Sequence, residues 1–427
     1  MIALALLAAL FVLLAMGAPV AFAMAIAGII GLYLQGGVPT VLGILGTTPL
    51  SAVSAYELIT IPMFLLMAEM VLVSGVADDL YKTAAAWFGR IPGGLAISTT
   101  LAGAAFGSIC GSSTGSAATL SATSLPAMVR HGYEPKMAAG VVAISGTLAI
   151  LLPSSIALVL YGHLAEVNMG KLLISGILPA GLVTVTIVGT ILFLVWLDPS
   201  CAPPVRSTPW AQRFAMVKSI IPVGLLFGFI TTSLYAGVTT PTEASALGAF
   251  GAFVMALLRG QLTVRVFLAT VRRAAVSSCM IFMILLGASV FSYAFTLTHV
   301  TQDLVHTIAG LPVSRWIIIA LILCCYIVLG SFMDQVAILV LTIPIVLPII
   351  KSLGFDPIWF GVIKVVTAEV GLITPPIGLN CYIVARYANR PVEEIFRGTL
   401  PHFIAHLIAI AILVAFPIIT LWLSSGM

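Results

Sequence analysis

Six ionisable side chains, Glu57, Glu69, Glu243, Asp334, Lys364 and Glu369, lie in otherwise apolar stretches of this 427-residue sequence. Charge in such surroundings is costly to bury and marks a functional position by default. Glu243 has a structural account. In Thr240-Pro241-Thr242-Glu243 the threonine suits the N-cap, the proline the first helical position, and the glutamate the third, which together form a capping box. Asp334 and Glu369 are placed to tune a cation site, and Glu57 and Glu69 suit a membrane interface or a local ion pair. No acidic pair recurs in both halves of the chain, which argues against a carboxylate proton relay and for cation coupling through backbone and hydroxyl oxygen.

The oxygen for such coupling comes from four short stretches. Cys110-Gly111-Ser112-Ser113-Thr114-Gly115-Ser116 and Gly330-Ser331-Phe332-Met333-Asp334-Gln335 concentrate small, hydroxyl and polar residues. Ala149-Ile150-Leu151-Leu152-Pro153-Ser154-Ser155 and Gly371-Leu372-Ile373-Thr374-Pro375-Pro376-Ile377 each interrupt an apolar segment with proline. Proline lacks an amide donor and clashes with the preceding turn, so it frees carbonyls upstream. Freed carbonyls are hard ligands for an alkali cation, and the N-termini of the resulting half-helices offer amides to an anion. One cation site in each half and one shared anion site follow.

The chain contains itself twice, at a shift of 222 positions. Leu125-Pro126 matches Leu347-Pro348, His131 to Pro135 matches Leu353 to Pro357, Pro153 matches Pro375, and Gly176 to Pro179 matches Gly398 to Pro401. With 61% hydrophobic and 7% charged residues and a mean hydropathy of +1.21, this is an integral membrane protein. The apolar runs are of helix-spanning length and do not alternate as barrel strands do. An all-α polytopic membrane protein is expected. The first 30 residues have no basic residue before the apolar run, so they read as retained helix rather than signal peptide. Residues 2 to 35 admit one long tilted helix or two short ones broken near Gly17-Ala18-Pro19.

Basic residues set the orientation. If segments 94 to 130 and 314 to 350 are hairpins that enter and leave on one face, the cytoplasmic loops 75 to 93, 130 to 136, 198 to 218, 259 to 273 and 385 to 400 hold 14 of the 18 Lys and Arg. Loops on the other side keep Lys171, Arg315 and Lys351. This bias follows the positive-inside rule, and a full crossing by either hairpin would spoil it. The two hairpins then open to opposite sides, as inverted repeats require. Arms of roughly 15 residues reach only about 22 Å, so the polar tips stop near the midplane, where non-helical backbone must line a cavity or be buried in protein.

The six cysteines show no metal-ligand or paired spacing and read as small core residues. His163, His299, His306, His402 and His406 are expected near helix ends or loops, with His131 in a loop; no Ser/His spacing or His-Glu metal motif supports an intramembrane hydrolase. A passive channel leaves the paired hairpins and breaks unexplained. The net charge of +4 bears on orientation, not on nucleic acid. Residues 1 to 56 and 219 to 242 are apolar and free of charged side chains, which leaves room on their surfaces for partner helices and lipid, and small residues suited to close packing abound in Ala21 to Gly28 and Ala244 to Gly251.

Over essentially its full length the chain resembles the large membrane subunit of tripartite ATP-independent periplasmic (TRAP) transporters, within the ion transporter superfamily. The resemblance rests on Gly111-Ser112-Ser113, Leu125-Pro126 with Gly132-Tyr133, Thr240-Pro241-Thr242-Glu243-Ala244, and Thr374-Pro375-Pro376-Ile377-Gly378-Leu379-Asn380 taken together. It implies a sodium-driven elevator importer in the bacterial inner membrane, not an enzyme. The partners implied are a small four-helix membrane subunit and a periplasmic substrate-binding protein that delivers a carboxylate such as a dicarboxylate or a sialic acid. Na⁺ is the coupling ion implied, with no other metal and no organic cofactor.

By the same resemblance, a first sodium site uses Cys110, Ser112 or Ser113 with Ala149, Leu152 and Ser154, and a second uses Gly330, Met333, Gly371, Thr374 and Pro376. Cys110 stands where the family commonly has Ser, and Ala149 to Ser154 departs from a Gly-x-x-x-Pro-Pro pattern, changes that backbone ligation tolerates. Ser113, Thr114, Ser155, Pro375 and Asn380 would face substrate. Residues 94–197 and 315–427 would move as the transport part, with 1–93 and 198–314 as scaffold. A stand-alone divalent-anion/sodium symporter of the same superfamily is the alternative.

Overall fold

Long apolar sequence in lipid leaves the backbone no hydrogen-bond partner but itself, and every regular element among the described residues is helical. The structure, a computed structural model, describes residues 2–205, 208–309 and 312–427. Arg206, one of the basic residues counted in the loop 198 to 218, lies outside them. Nine helices among the described residues are long and apolar enough to cross a membrane.

The N-terminal segment is two helices, Ile2–Ala15 (α1) and Val20–Val53 (α2), because Gly17 takes a φ of 83° and Pro19 restarts the chain. A second positive φ, 66° at Gly37, bends α2 just before Pro39. After Thr60–Val73 (α3) and Val76–Phe88 (α4) comes the first hairpin, Gly94–Cys110 (α5) returning through Ser113–Thr123 (α6) and Leu125–Arg130 (α7). Pro135–Thr147 (α8) then runs through a 3₁₀ turn into the first break and resumes as Ile156–Ala165 (α9). Met169–Ser175 (α10) and Ile177–Leu197 (α11) close this half.

The second half begins with Trp210–Tyr235 (α12), Pro241–Leu258 (α13), Val264–Leu297 (α14) and Val300–Ala309 (α15). Its hairpin is Arg315–Phe332 (α16) with Gln335–Ser352 (α17), and its broken helix is Pro357–Gly371 (α18) with Leu379–Ala388 (α19). Val392–Ala415 (α20) and Ile418–Ser425 (α21) complete the chain. The sequence repeat thus reappears as structure. Pro135 and Pro357, at matching positions, are each the first residue of the helix that leads into a break.

Close packing depends on small residues, as it does where lipid is as apolar as leucine. A β-carbon on Gly28 would lie 2.7 Å from the Phe291 amide nitrogen, and one on Gly287 2.1 Å from the Ala21 carbonyl oxygen, so α2 and α14 touch backbone to backbone. Gly248 similarly admits Met67 of α3. The small residues of 21–28 and 244–251 are therefore largely used within the chain rather than left for partner helices, while 219–242 does keep open apolar surface, at Ile221, Leu225 and Phe229 on α12, continued by Trp210 and Phe214.

Four further sequence expectations resolve. Glu243 closes the capping box, its Oε2 accepting from the Thr240 amide at 2.8 Å while its own amide donates to Thr240 Oγ1 at 3.3 Å. Glu69, expected at an interface or in a local pair, accepts from Arg273 at 2.7 Å, an ion pair with a residue 204 positions away. His402 and His406, by contrast, are buried in mid-helix on α20 rather than near an end. The cysteines divide: Cys110, Cys201 and Cys381 are buried, but Cys279, Cys324 and Cys325 are exposed. In a bilayer an outward apolar position costs nothing, so apolar neighbours do not signal an inward side chain.

Candidate cation and substrate site

Each hairpin tip meets the break of its own half through backbone contact. At the first tip Gly111 adopts a φ of 61°, and a β-carbon there would lie 2.1 Å from the Ser154 carbonyl oxygen. One turn back, Gly107 abuts Ala149, with a β-carbon 2.5 Å from its Cα. Ser154 Oγ donates to the Ser108 carbonyl at 2.9 Å, which fixes the break against α5. The second half repeats the contact: a β-carbon on Gly330 would lie 2.6 Å from the Ala368 carbonyl and 2.9 Å from Gly371 Cα. The amides of Ile377 and Gly378 donate to the Ser331 carbonyl at 3.2 and 3.3 Å, tying the second break to its tip.

This geometry gathers the residues that the family resemblance implies for a first sodium site. Cys110 ends α5 with its Sγ 3.8 Å from the Ser112 carbonyl, Ser112 caps α6 by accepting from the Gly115 amide at 3.3 Å, and Ser113 is the first helical residue. Ala149 and Ser154 lie across from them, with Leu152 in the same bend. For the second set, Gly330 and Gly371 touch directly, Met333 is the extended residue that ends α16, and Thr374 Oγ1 donates to the Val370 carbonyl at 2.6 Å. Pro376 follows a cis peptide bond in the same bend.

Both tips open on one cavity of ≈ 190 Å³. Gly111 to Thr114 and Asp334 to Val336 line it, with Ile150, Ile156 and Leu372 from the flanks of the breaks and Leu65, Ser277, Met280, Ile281 and Ile284 from α3 and α14. Of the residues expected to face substrate, Ser113 and Thr114 line this cavity. The other three do not. Ser155 caps α9 by accepting from the Leu158 amide at 3.1 Å, Pro375 lines a separate apolar recess with Phe396 and Phe403, and Asn380 sits behind Ser113. A larger cavity of ≈ 930 Å³, lined in part by Glu57, His163, Glu166 and Tyr293, shares no tip or break residue. It lies among the ends of helices that the basic-residue count places away from the cytoplasm.

Asp334 does more than line the cavity. It caps α17, one oxygen accepting from the Val336 amide at 3.0 Å. The contact that sequence reasoning missed joins the two halves: Ser113 Oγ donates to Glu369 Oε2 at 2.7 Å and accepts from Asn380 Nδ2 at 2.8 Å. Behind it, Lys364 Nζ, Glu369 Oε1, Gln335 Oε1 and Asn380 Oδ1 are buried without a hydrogen-bond partner among the described residues. Oxygens left without donors inside a protein fit cation or water ligation, since an unpaired buried polar atom is otherwise costly. Among the described residues no cluster of three or more His, Cys, Asp or Glu could hold a metal ion.

The family model for the tripartite ATP-independent periplasmic transporter, DctM component, matches residues 7–419. The chain belongs to this family. Within it, the C4-dicarboxylate TRAP transporter large permease protein of Pseudomonas aeruginosa is 32% identical over 367 residues, covering 86% of each chain. The sialic acid TRAP transporter large permease protein of Vibrio cholerae is 26% identical, covering 88% of this chain and 87% of that one. The fold is also that of the Alcanivorax borkumensis YdaH transporter, whose crystal structure reveals an unusual topology: the TM-score is 0.64 at 14% identity, over 93% of this chain and 96% of that one. As a TRAP large permease, the protein is a multi-pass subunit of the inner membrane.

Proposed function

We infer that the protein is the sodium-coupled membrane component of an importer for a small organic anion, a carboxylate of the dicarboxylate or sialic acid kind. The observation that carries this reading is the single cavity on which two inverted hairpin tips open, each tip in backbone contact with a break. Among the described residues no Lys or Arg lines it. An anion there must be balanced by helix N-termini and by co-bound cations. The N-terminus of α17 is already occupied by the Asp334 carboxylate, so α6, capped only by the Ser112 hydroxyl, is the end that receives the anion.

Sodium is held at the two tip and break junctions, one by Cys110 and Ser112 with Ala149, Leu152 and Ser154, the other by Gly330, Met333, Gly371, Thr374 and Pro376; the Ser113 hydroxyl is engaged by Glu369 and Asn380 instead. Transport is an elevator movement of residues 94–197 and 315–427 against 1–93 and 198–314. A small four-helix membrane subunit completes the scaffold, and a periplasmic binding protein delivers the substrate, in keeping with the tripartite family. The named relatives support a carboxylate substrate.

The test is uptake by the complete complex in proteoliposomes. A steep inward sodium gradient should drive accumulation, and Thr374→Ala should raise the sodium concentration for half-maximal uptake severalfold. Full uptake without sodium, or an unchanged sodium dependence in Thr374→Ala and Ser154→Ala alike, would overturn the reading.

A further inference from the structure

We propose that Ser113 is a positioning residue that couples the two cation sites, by linking the first hairpin tip to both sides of the second break. Ser113 opens α6 at the first tip. Glu369 stands two residues before Gly371, where the second helix breaks, and Asn380 is the second residue after the helix resumes. All three side chains are buried.

The bonds have a fixed sense. A serine hydroxyl has one proton, and here it goes to Glu369 Oε2 at 2.7 Å while the lone pairs receive Asn380 Nδ2 at 2.8 Å. Asn380 is anchored in turn: its amide donates to the Leu372 carbonyl inside the break at 3.0 Å, and Nδ2 also reaches the Ala143 carbonyl of α8 at 3.4 Å. Turning the first tip therefore strains or releases both ends of the second break.

The bridge runs from one half only. The position matched to Ser113 by the repeat is Gln335, which turns its Nε2 to the Val365 carbonyl of its own half at 3.0 Å. Among the described residues, a shift at the second tip thus has no equivalent bond to the first break. Breaking a buried hydrogen bond leaves its partner unpaired, which is expensive. The arrangement of tip and break that keeps both bonds is the one in which each half is set for its ion, so filling one site favours the other. Reciprocal coupling of this kind typically changes affinity by about 5- to 150-fold.

This inference rests on the sodium reading above, and the experiment separates the two. Equilibrium binding of radiolabelled sodium is measured on the purified complex. The wild type should bind with a Hill coefficient above 1 and at most about 2 for two sites. Ser113→Ala should lower it to about 1 with the number of ions bound at saturation unchanged, Ser113→Thr should restore it, and Asn380→Ala should act like Ser113→Ala. The Asn380 variant decides the matter if Ser113→Ala does not fold. A Hill coefficient of 1 in the wild type, an unchanged value in the variants, or the loss of a bound ion in Ser113→Ala would each overturn the coupling role. A wild-type complex that binds no sodium would overturn the sodium reading itself.

Discussion

Gly111 and Ser154 approach so closely that a β-carbon on the glycine would sit 2.1 Å from the Ser154 carbonyl oxygen, at a φ of 61° that other residues avoid. The left-handed backbone alone costs a substituted residue about 1–2 kcal/mol, and the contact adds to that because the obstacle is backbone. Gly111→Ala should lower the thermal midpoint of the purified complex and reduce sodium-driven uptake. Uptake and melting like the wild type would mean that the tip does not rest on the break.

The matching contact in the second half predicts a parallel result. Gly330 and Gly371 leave no room for a methyl group, since a β-carbon on Gly371 would lie 2.4 Å from Gly330 Cα. Gly371→Ala should cost uptake at least as severely as Gly111→Ala. Sodium dependence measured on whatever activity remains should shift to higher concentration, and an unshifted curve would count against a cation at that junction.

Topology is open to direct labelling. With every other native cysteine replaced, a cysteine at Arg265 should react only with a reagent on the cytoplasmic side, and one at Lys351 only from outside. Both positions are more than a third exposed. Reaction of both from the same side would make the second hairpin a full crossing.

Assembly predicts a loss rather than a gain. The outward face of α12 carries exposed Trp210, Phe214, Ile221 and Leu225, a surface available to a partner helix or to lipid. The chain alone should be inactive and should copurify with a small membrane subunit, and uptake should also need a periplasmic binding protein. Robust sodium-driven uptake by the isolated chain would instead identify a stand-alone symporter.

A negative result is expected at the Glu69–Arg273 pair. Its side chains are 21% and 51% exposed. Exposed ion pairs contribute about 0–1 kcal/mol, so Glu69→Gln should leave uptake intact and shift the melting midpoint by no more than a few degrees.

Much of this architecture was written in the order of residues. Proline and glycine act on their own backbone, so Pro153 and Pro375 mark the breaks and Gly111 the first tip, whatever surrounds them, whereas the residues around Gly17 left one helix or two open until the structure divided them. The capping box at Thr240 and Glu243 was equally legible because its partners are three residues apart. Side-chain direction was not legible. Cys279, Cys324 and Cys325 face outward while His402 and His406 face inward, and a helix with lipid on one side and protein on the other shows little difference between its faces. The same blindness hid the role of Ala21 to Gly28, which only the approach of α14 reveals. Above all, Ser113 and Glu369 are 256 residues apart, and their 2.7 Å bond exists only because the inverted halves interlock. Local chemistry placed the tips and breaks; long-range packing decided which of their polar atoms meet, because no local rule carries a hydroxyl from one repeat to a carboxylate in the other.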